Sequence, residues 1–472
     1  MPRTIETDIC VIGGGSGGLS VAAGAAQMGA PTVLIEGGRM GGDCLNYGCV
    51  PSKAMLAAGH HASLWRHSGA FGVDAPRPAV DFGRVNDHVR DVIAGIEPHD
   101  SQERFEGLGV TVLRDMARFI SGDAVQAGDT VVKARRFVVA TGSSPVAPPI
   151  PGLEETGYLT NETLFDNREL PGHLIIIGGG PIGMEMAQAH ASLGAQVTVL
   201  EAFSALGKDD PELAAVALDA IRESGVAVRE GVKIARVEPG PVVVLEDGKG
   251  GEERIEGTHL LVAAGRQANV RKLDLEKAGV DYSPKGIVVD RGLRTSNRKI
   301  YAIGDVAGGL QFTHVAGWHA GLVIRSALFR LPVKADTGAI PWVTYTDPEL
   351  AWVGLQEKQA REKHGDGVQV LHWGFDENDR ARAERRTEGR VKVISYKGRP
   401  VGAGIVGAHA GELIGPWVLA INKGLKLSDM AGFVAPYPTL GEVSKRAAGS
   451  YFTPTLFSER TRKVVKFLRL FG

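Results

Sequence analysis

A glycine-rich turn between an apolar strand and a helix occurs twice in this chain, and that repetition sets most of what it can fold into. At the first, Asp8 to Ile12 reads as a strand, Gly13-Gly14-Gly15-Ser16-Gly17-Gly18 as the turn, and the Ala-rich stretch to about Met28 as a helix. Thr32 to Ile35 forms a second strand ending in Glu36. Gly13 permits the tight turn, Gly15 lets the backbone approach a pyrophosphate, Gly18 lets helix and sheet close up, and Glu36 can accept both hydroxyls of a ribose. The order returns at Leu174 to Ile177, Gly178-Gly179-Gly180-Pro181-Ile182-Gly183, a helix from about Met184, and the strand Gln196 to Leu200 ending in Glu201. Two dinucleotide sites on one chain suggest a retained flavin and an exchanging nicotinamide. A carboxylate at Glu201 suits a free 2′-hydroxyl and repels a 2′-phosphate, which favours NADH over NADPH.

Composition agrees. The 472 residues suffice for about two to four domains. Gly is 64 of 472, nearly twice the ordinary share of about 7%, and it clusters beside apolar runs instead of recurring at a fixed period. A collagen-like or disordered polymer is thereby excluded. Lys and Arg number 53 against 54 for Asp and Glu, so nothing asks for a nucleic-acid partner. The start reaches an apolar strand without a basic leader, and no run of about eighteen apolar residues offers a membrane span. The expected location is the cytoplasm.

Between the two turns, Asn86 to Leu108 reads as a solvated helix, and Thr130 to Ala140 as a strand leading into Thr141-Gly142-Ser143-Ser144. Pro145, Pro148, Pro149 and Pro151 then mark a domain crossing. A second crossing follows Leu261-Val262-Ala263-Ala264-Gly265-Arg266, after which Ile300 to Ile303, ending in Gly304-Asp305, returns the chain to the first domain. From Pro341 the pattern changes. Leu350 to Leu355, Val368 to Trp373, Gly389 to Tyr396 and Pro400 to Gly407 read as an antiparallel sheet, with helices at Ala410 to Lys423 and Leu440 to Ala448. The chain is thus expected to be α/β, with one nucleotide-binding domain in residues 1–150 and 271–340, a second in 151–270, and an α+β domain in 341–472.

Three cysteines are too few for a secreted disulfide scaffold. Cys10, inside an apolar strand, reads as a buried core residue. The other two stand in Gly41-Gly42-Asp43-Cys44-Leu45-Asn46-Tyr47-Gly48-Cys49-Val50-Pro51-Ser52-Lys53. Pro51 suits the first turn of a helix, so Cys49 lies near a helix N-terminus, where free backbone N–H groups favour a thiolate. Cys44 and Cys49 can close a disulfide if the turn between them distorts slightly. A zinc site would need two further ligands; His60 and His61 only follow on the helix, and no metal site is expected.

In these motifs and their order the chain resembles the pyridine nucleotide-disulfide oxidoreductases, the family of dihydrolipoamide dehydrogenase, glutathione reductase and mercuric reductase. The resemblance runs over essentially the whole chain. It implies a glutathione-reductase-like fold, with two Rossmann-like domains and a C-terminal dimerisation domain, and hence a homodimer. It also implies an FAD enzyme that passes electrons from NAD(P)H through the flavin to the Cys44–Cys49 disulfide. Position by position, Cys49 resembles the flavin-proximal thiol, Cys44 the outer interchange thiol, Lys53 the lysine near flavin N5 and Glu185 its carboxylate partner. Asp305 resembles the residue that holds the ribityl chain. Ser16, Gly42, Thr141, Gly142 and Ala316 fall at flavin positions, and Gly265 and Arg266 at the nicotinamide side.

One motif departs from part of the family. Members that reduce lipoamide or glutathione carry a base histidine where Ala435-Pro436-Tyr437-Pro438 has Tyr437, although Glu442, which would orient that histidine, is present. A phenol with a pKa near 10 is a poor base at neutral pH. Mercuric reductases are similar in having a tyrosine here, yet they also carry a C-terminal cysteine pair, which Lys466 to Gly472 lacks. The expected function is therefore mercuric-reductase-like, with an unassigned small-molecule or metal-ion acceptor. The alternatives are a dihydrolipoamide dehydrogenase with Tyr437 in place of the histidine, and a flavin-bearing electron shuttle with non-catalytic cysteines. Finally, Leu456 to Phe471 mixes basic and apolar residues. Such a segment is expected to pack on its own subunit or a dimer partner, an anionic membrane being the other surface it could touch.

Overall fold

In the computed structural model, which describes residues 3–471, the first sheet is built from β1 (Arg3–Ile12), β2 (Thr32–Ile35), β3 (Val110–Leu113), β4 (Ala117–Ser121), β5 (Ala124–Ala127) and β6 (Thr130–Val139), in the order β3-β2-β1-β6-β5-β4. β1 is exposed at its start and wholly buried from Ile9 to Ile12. Continuous burial of that kind marks a central parallel strand covered on both faces. β6 pairs in parallel with β1 along one edge and serves two neighbours along the other: its first residues pair antiparallel with β5, and Phe137 to Val139 pair in parallel with Ile300–Ala302. The returning strand thus re-enters the first sheet as the sequence implies. β3, β4 and β5 were not anticipated, because each is short and is interrupted by a polar residue.

Cys10, Phe119 and Phe137 fill one core cluster of this sheet, and Val11, Leu34 and Tyr301 another. Burial of each large apolar side chain contributes roughly 1.5–3 kcal/mol. Burial also pushes the Cys10 thiol far up, which leaves it inert. A second parallel sheet places His173–Ile177 between Gln196–Leu200 and His259–Val262. Ile234–Glu238, Val242–Glu246 and Glu252–Glu256 add a small antiparallel sheet. The single helix expected over Asn86 to Leu108 is two, Phe82–Asp100 and Gln102–Gly107. Ser101 separates them by turning extended and accepting the Arg104 N–H.

By compactness the chain divides into two units: Met1–Gly179, Ala189–Ala202 and Arg229–Asp336 form one, and Gly180–Gln188, Phe203–Val228 and Thr337–Gly472 the other. The second contains a five-stranded antiparallel sheet in the order Pro341–Thr344, Glu349–Gly354, Arg399–Gly407, Arg390–Tyr396, Val368–Gly374. The expected helix from Ala410 to Lys423 breaks into Ala410–Leu413 and Gly415–Lys423, because Pro416 fits only the first turn of a new helix. Leu427–Gly432 is a further helix, and the last expected one runs Glu442–Ser450. Buried Lys392 is compensated by Asp210, Glu212 and Glu357 at 3.0, 3.0 and 3.1 Å. Of the two covers expected for the helix Glu459–Leu468, its own subunit or a dimer partner, its own subunit is not one: apart from half-buried Thr461, all its residues are exposed. Among the described residues no helix is long and apolar enough to cross a membrane.

Candidate active site

The first nucleotide turn tolerates no side chains. Gly13 has φ +108°, and a Cβ there would stand 2.4 Å from the Ala140 carbonyl oxygen; one on Gly18 would fall 1.9 Å from the Gly13 oxygen. Helix α1 (Ser16–Gln27) follows. Its cap, Gly15, offers no side chain and its first turn holds no acid, so the leading N–H groups are left for an anion. Glu36 accepts from the Gly14 and Gly38 N–H groups, and its remaining lone pairs can take ribose hydroxyls. A glycine cradle, a bare helix start and an adjacent carboxylate fit the ADP half of FAD. The second turn repeats the arrangement. Gly178 has φ +115°, with the Ala263 oxygen 2.5 Å from a Cβ, and Glu201 accepts the Gly179 N–H at 2.7 Å. Gly180 and Gly183 flank the start of the helix Pro181–Leu193.

The cysteine segment lies across the first turn. Gly41 donates its N–H to the Gly14 oxygen at 2.9 Å, and a Cβ on Gly42 would stand 2.7 Å from the Gly15 Cα. Buried Asn46 holds the loop by donating to the Met40 and Gly42 oxygens at 3.0 and 2.9 Å. Cys44 is on the short helix α2 (Gly42–Asn46), and Cys49 is the first residue of α3 (Cys49–Ser63), with Pro51 in its first turn. Both stand as free thiols. The Cys44 thiol brings Cys49 down to about 6, against partial desolvation of its otherwise exposed residue and with help from the Thr313 hydroxyl 3.4 Å away and from half-buried Lys53. The bond to Cys49, and then burial, push Cys44 well up. The pair shares its protons, and the first negative charge rests on Cys49.

Polar contacts tie this segment to distant parts of the same unit. Asp43 meets Arg266 at 3.2 Å and accepts from Asn161 at 3.0 Å. Arg266 Nε donates to Ser143 Oγ at 2.8 Å, and that hydroxyl donates to Asp305 Oδ2 at 2.6 Å. Burial pushes the Asp305 carboxyl up, while Ser143 and Arg266 oppose the shift. Thr141 Oγ1 donates to the Asn269 oxygen at 2.8 Å, beside Gly142. The Ala316 methyl presses on the turn, 3.2 and 3.0 Å from where a Cβ would stand on Gly17 and Gly304. His319 accepts the Gly304 N–H at 3.2 Å, and burial lowers its pKa, which suits a neutral acceptor ring.

The expected flavin positions therefore gather around one turn together with Cys44, Cys49 and Lys53. Arg266, expected on the nicotinamide side with Gly265, directs its guanidinium to Ser143, Asn161 and Asp43 instead. In the other unit, buried Glu185 accepts the Tyr345 N–H at 2.9 Å. Exposed Tyr437 donates its hydroxyl to Asp379 Oδ2 at 2.9 Å, a bond that pushes the phenol further up. Glu442 opens the helix that follows. Sequence reasoning missed Asp43, Ser143, Asn161, Thr313 and Asp379. Asp43 and Ser143 at least stand inside quoted motifs. Among the described residues no cluster of three or more His, Cys, Asp or Glu could hold a metal ion.

Family comparison agrees with this geometry. The model described as pyridine nucleotide-disulphide oxidoreductase matches residues 7–320, and that family's dimerisation domain matches 340–448. The mercuric reductase of Staphylococcus aureus is 35% identical over 452 residues, covering 94% of this chain and 82% of that protein. The dihydrolipoyl dehydrogenase of Bacillus subtilis is 33% identical over 449 residues, covering 93% and 97%. The Cu(II) complex of the HOCl-induced flavoprotein disulfide reductase RclA from Escherichia coli superposes with a TM-score of 0.83 at 28% identity, over 93% of this chain and 99% of that one. The chain belongs to the pyridine nucleotide-disulphide oxidoreductases and is an FAD-dependent NAD(P)H:disulfide oxidoreductase.

Proposed function

We propose that the protein oxidises NADH and delivers the electrons through Cys44 and Cys49 to a thiophilic metal ion. The choice of acceptor is carried by Tyr437, whose hydroxyl donates to Asp379 and is held above the ordinary phenol range. At neutral pH it is a proton donor with no capacity as a base. Disulfide acceptors such as lipoamide need proton exchange at the interchange thiol in every turnover. A metal ion taken up by the thiols displaces their protons to solvent as it binds and needs no protein base to receive them, and soft sulfur ligands select soft ions. Two similar proteins are a mercuric reductase and a flavoprotein reductase complexed with Cu(II).

Bound FAD supplies the acceptor for the nicotinamide hydride and the relay to sulfur. The start of α1, with Gly13, Gly15, Ser16 and Gly18, holds its pyrophosphate and Glu36 its adenosine ribose. Asp305, fixed by Ser143, holds the ribityl chain, and Gly42, Thr141, Gly142 and Ala316 line the remainder. Cys49 is the inner thiol and Cys44 the outer one. In the chain alone Cys49 is exposed and Cys44 half-buried, so this order rests on the family motif and on the thiolate preference of Cys49, and not on depth. Lys53 lies at the flavin. Gly178, Gly180, Gly183 and Gly265 shape the nicotinamide site, and the Glu201 carboxylate selects NADH. NADH and one proton reduce the disulfide to the dithiol. Reoxidation of the dithiol to the disulfide releases two protons and two electrons, the electrons being enough for one Hg(II) or two Cu(II). Residues 340–448 pair two subunits, with exposed Phe433 and Val434 as candidate contacts.

The test is anaerobic NADH oxidation by the FAD-loaded enzyme with Hg(II), Cu(II) or lipoamide, beside a Cys44→Ser control. Turnover with a metal ion that vanishes in the control is the expected result, with lipoamide slow. Tyr437→His is expected to raise the lipoamide rate at least about tenfold. Lipoamide turnover above about 10 per second in the wild type would overturn the acceptor assignment in favour of dihydrolipoamide dehydrogenase.

A further inference from the structure

The helix Glu459–Leu468 carries an apolar stripe that the fold leaves uncovered. Val464, Phe467, Leu468 and Phe471 recur at the spacing of one helical face, a pattern that normally marks the side turned to a core. Here they are 49%, 59%, 57% and 74% exposed. Single exposed apolar residues are ordinary, but a contiguous stripe marks a contact surface. Leu456 and Phe457, just upstream, are exposed as well. Arg460 precedes the stripe on the same side, Arg462, Lys463, Lys466 and Arg469 stand around the rest of the helix with exposed Val465 and Leu470 among them, and the only carboxylate from Glu459 to Phe471 is Glu459 itself. The helix lies beyond residue 448, where the match to the dimerisation domain ends. Two such cationic helices would also repel one another, which disfavours a second copy as the cover.

We infer that this helix is an interfacial anchor that lays the enzyme on an anionic phospholipid bilayer. Its apolar stripe enters the acyl boundary while its cations sit among the headgroup phosphates. A helix this short gives reversible attachment, which pairing of two subunits would strengthen. The anchor is independent of the acceptor assigned above.

Flotation of the full-length, FAD-loaded enzyme with vesicles tests it. Vesicles of phosphatidylcholine alone are compared with vesicles that also contain phosphatidylglycerol, and the lipid-free sedimentation coefficient is measured in parallel. The wild type is expected to float only with the anionic vesicles and to be released as salt screens the charges. Lys463→Gln with Lys466→Gln should weaken binding at least about tenfold, and Val464→Asp with Phe467→Asp should abolish it. Both variants should keep the wild-type sedimentation coefficient. Wild-type enzyme that ignores anionic vesicles, or binds neutral ones equally, overturns the proposal. So does dissociation of the lipid-free variants into smaller species, which would identify a second copy as the cover.

Discussion

The two glycine turns differ little in themselves and greatly in what lies over them. Gly13 and Gly178 hold φ of +108° and +115°, and a Cβ on either would stand 2.4 or 2.5 Å from an alanine carbonyl, that of Ala140 or Ala263. Each has its own acid, Glu36 or Glu201, bonded to the turn. Over the first turn, however, lies the cysteine segment, with Gly41 bonded to Gly14, Gly42 against Gly15, and Ala316 pressing on Gly17. At the second, a Cβ on Gly180 would meet no described atom within 4 Å. The proposed assignment of the two turns rests on this difference: a closed seat suits a dinucleotide that stays and an open one a dinucleotide that exchanges.

The sharpest way to break this comparison is to block each turn separately. Gly13→Val combines a left-handed backbone with steric overlap, a cost of roughly 3 kcal/mol or more, and should yield protein without yellow flavin absorbance. Gly178→Val should stay yellow and be bleached by dithionite, while its reduction by NADH slows at least about a hundredfold in stopped flow. A colourless Gly178→Val would mean that the seats are not independent. Next in size is the nicotinamide choice. Glu201→Gln removes the charge that repels a 2′-phosphate, and the ratio of kcat/KM for NADH over NADPH should fall about tenfold. An unchanged ratio would remove Glu201 from the selection.

The smallest effect sharpens the closed seat. Cys49 is an acid whose pKa is lowered to about 6 in the folded dithiol, so its thiolate is present above that pH and is lost as pH falls through it. The stability this gives the reduced protein is complete above the ordinary thiol range of about 8.5 and disappears on acidification through 6. Alkylation of the reduced enzyme by iodoacetamide should follow the thiolate, with a midpoint near 6. Lys53→Met should move that midpoint upward. A midpoint in the ordinary thiol range would show that the Cys44 thiol, Thr313 and Lys53 do not activate Cys49.

Much of the first seat was legible because its parts are local. A strand, a turn that only glycine fits, a helix and a terminal acid lie within Asp8 to Glu36, and the cysteine segment follows directly. The chain of contacts from Asp43 through Arg266 and Ser143 to Asp305 was not legible. Its members are polar, lie far apart in sequence and obey no period, so only the folded chain brings them together. Asp379 is the same case: nothing in its surroundings announces a partner for Tyr437. Short strands such as Ala124–Ala127, and the break before Gly415, depend on pairing and backbone fit that a hydrophobic pattern does not encode. The exposed face of Glu459–Leu468 was legible only in part for a related reason, since amphipathicity specifies that a surface exists and not whether its own subunit, a partner or a membrane covers it.

The most direct test of the central claim, that Cys44 and Cys49 form a redox centre in series with FAD, is an anaerobic dithionite titration of the purified enzyme followed through the flavin absorbance. The wild type should take up about four electrons per subunit, two for the disulfide and two for the flavin, and Cys44→Ser about two. Equal uptake of about two electrons by both proteins would contradict the account and leave the cysteines outside the electron path.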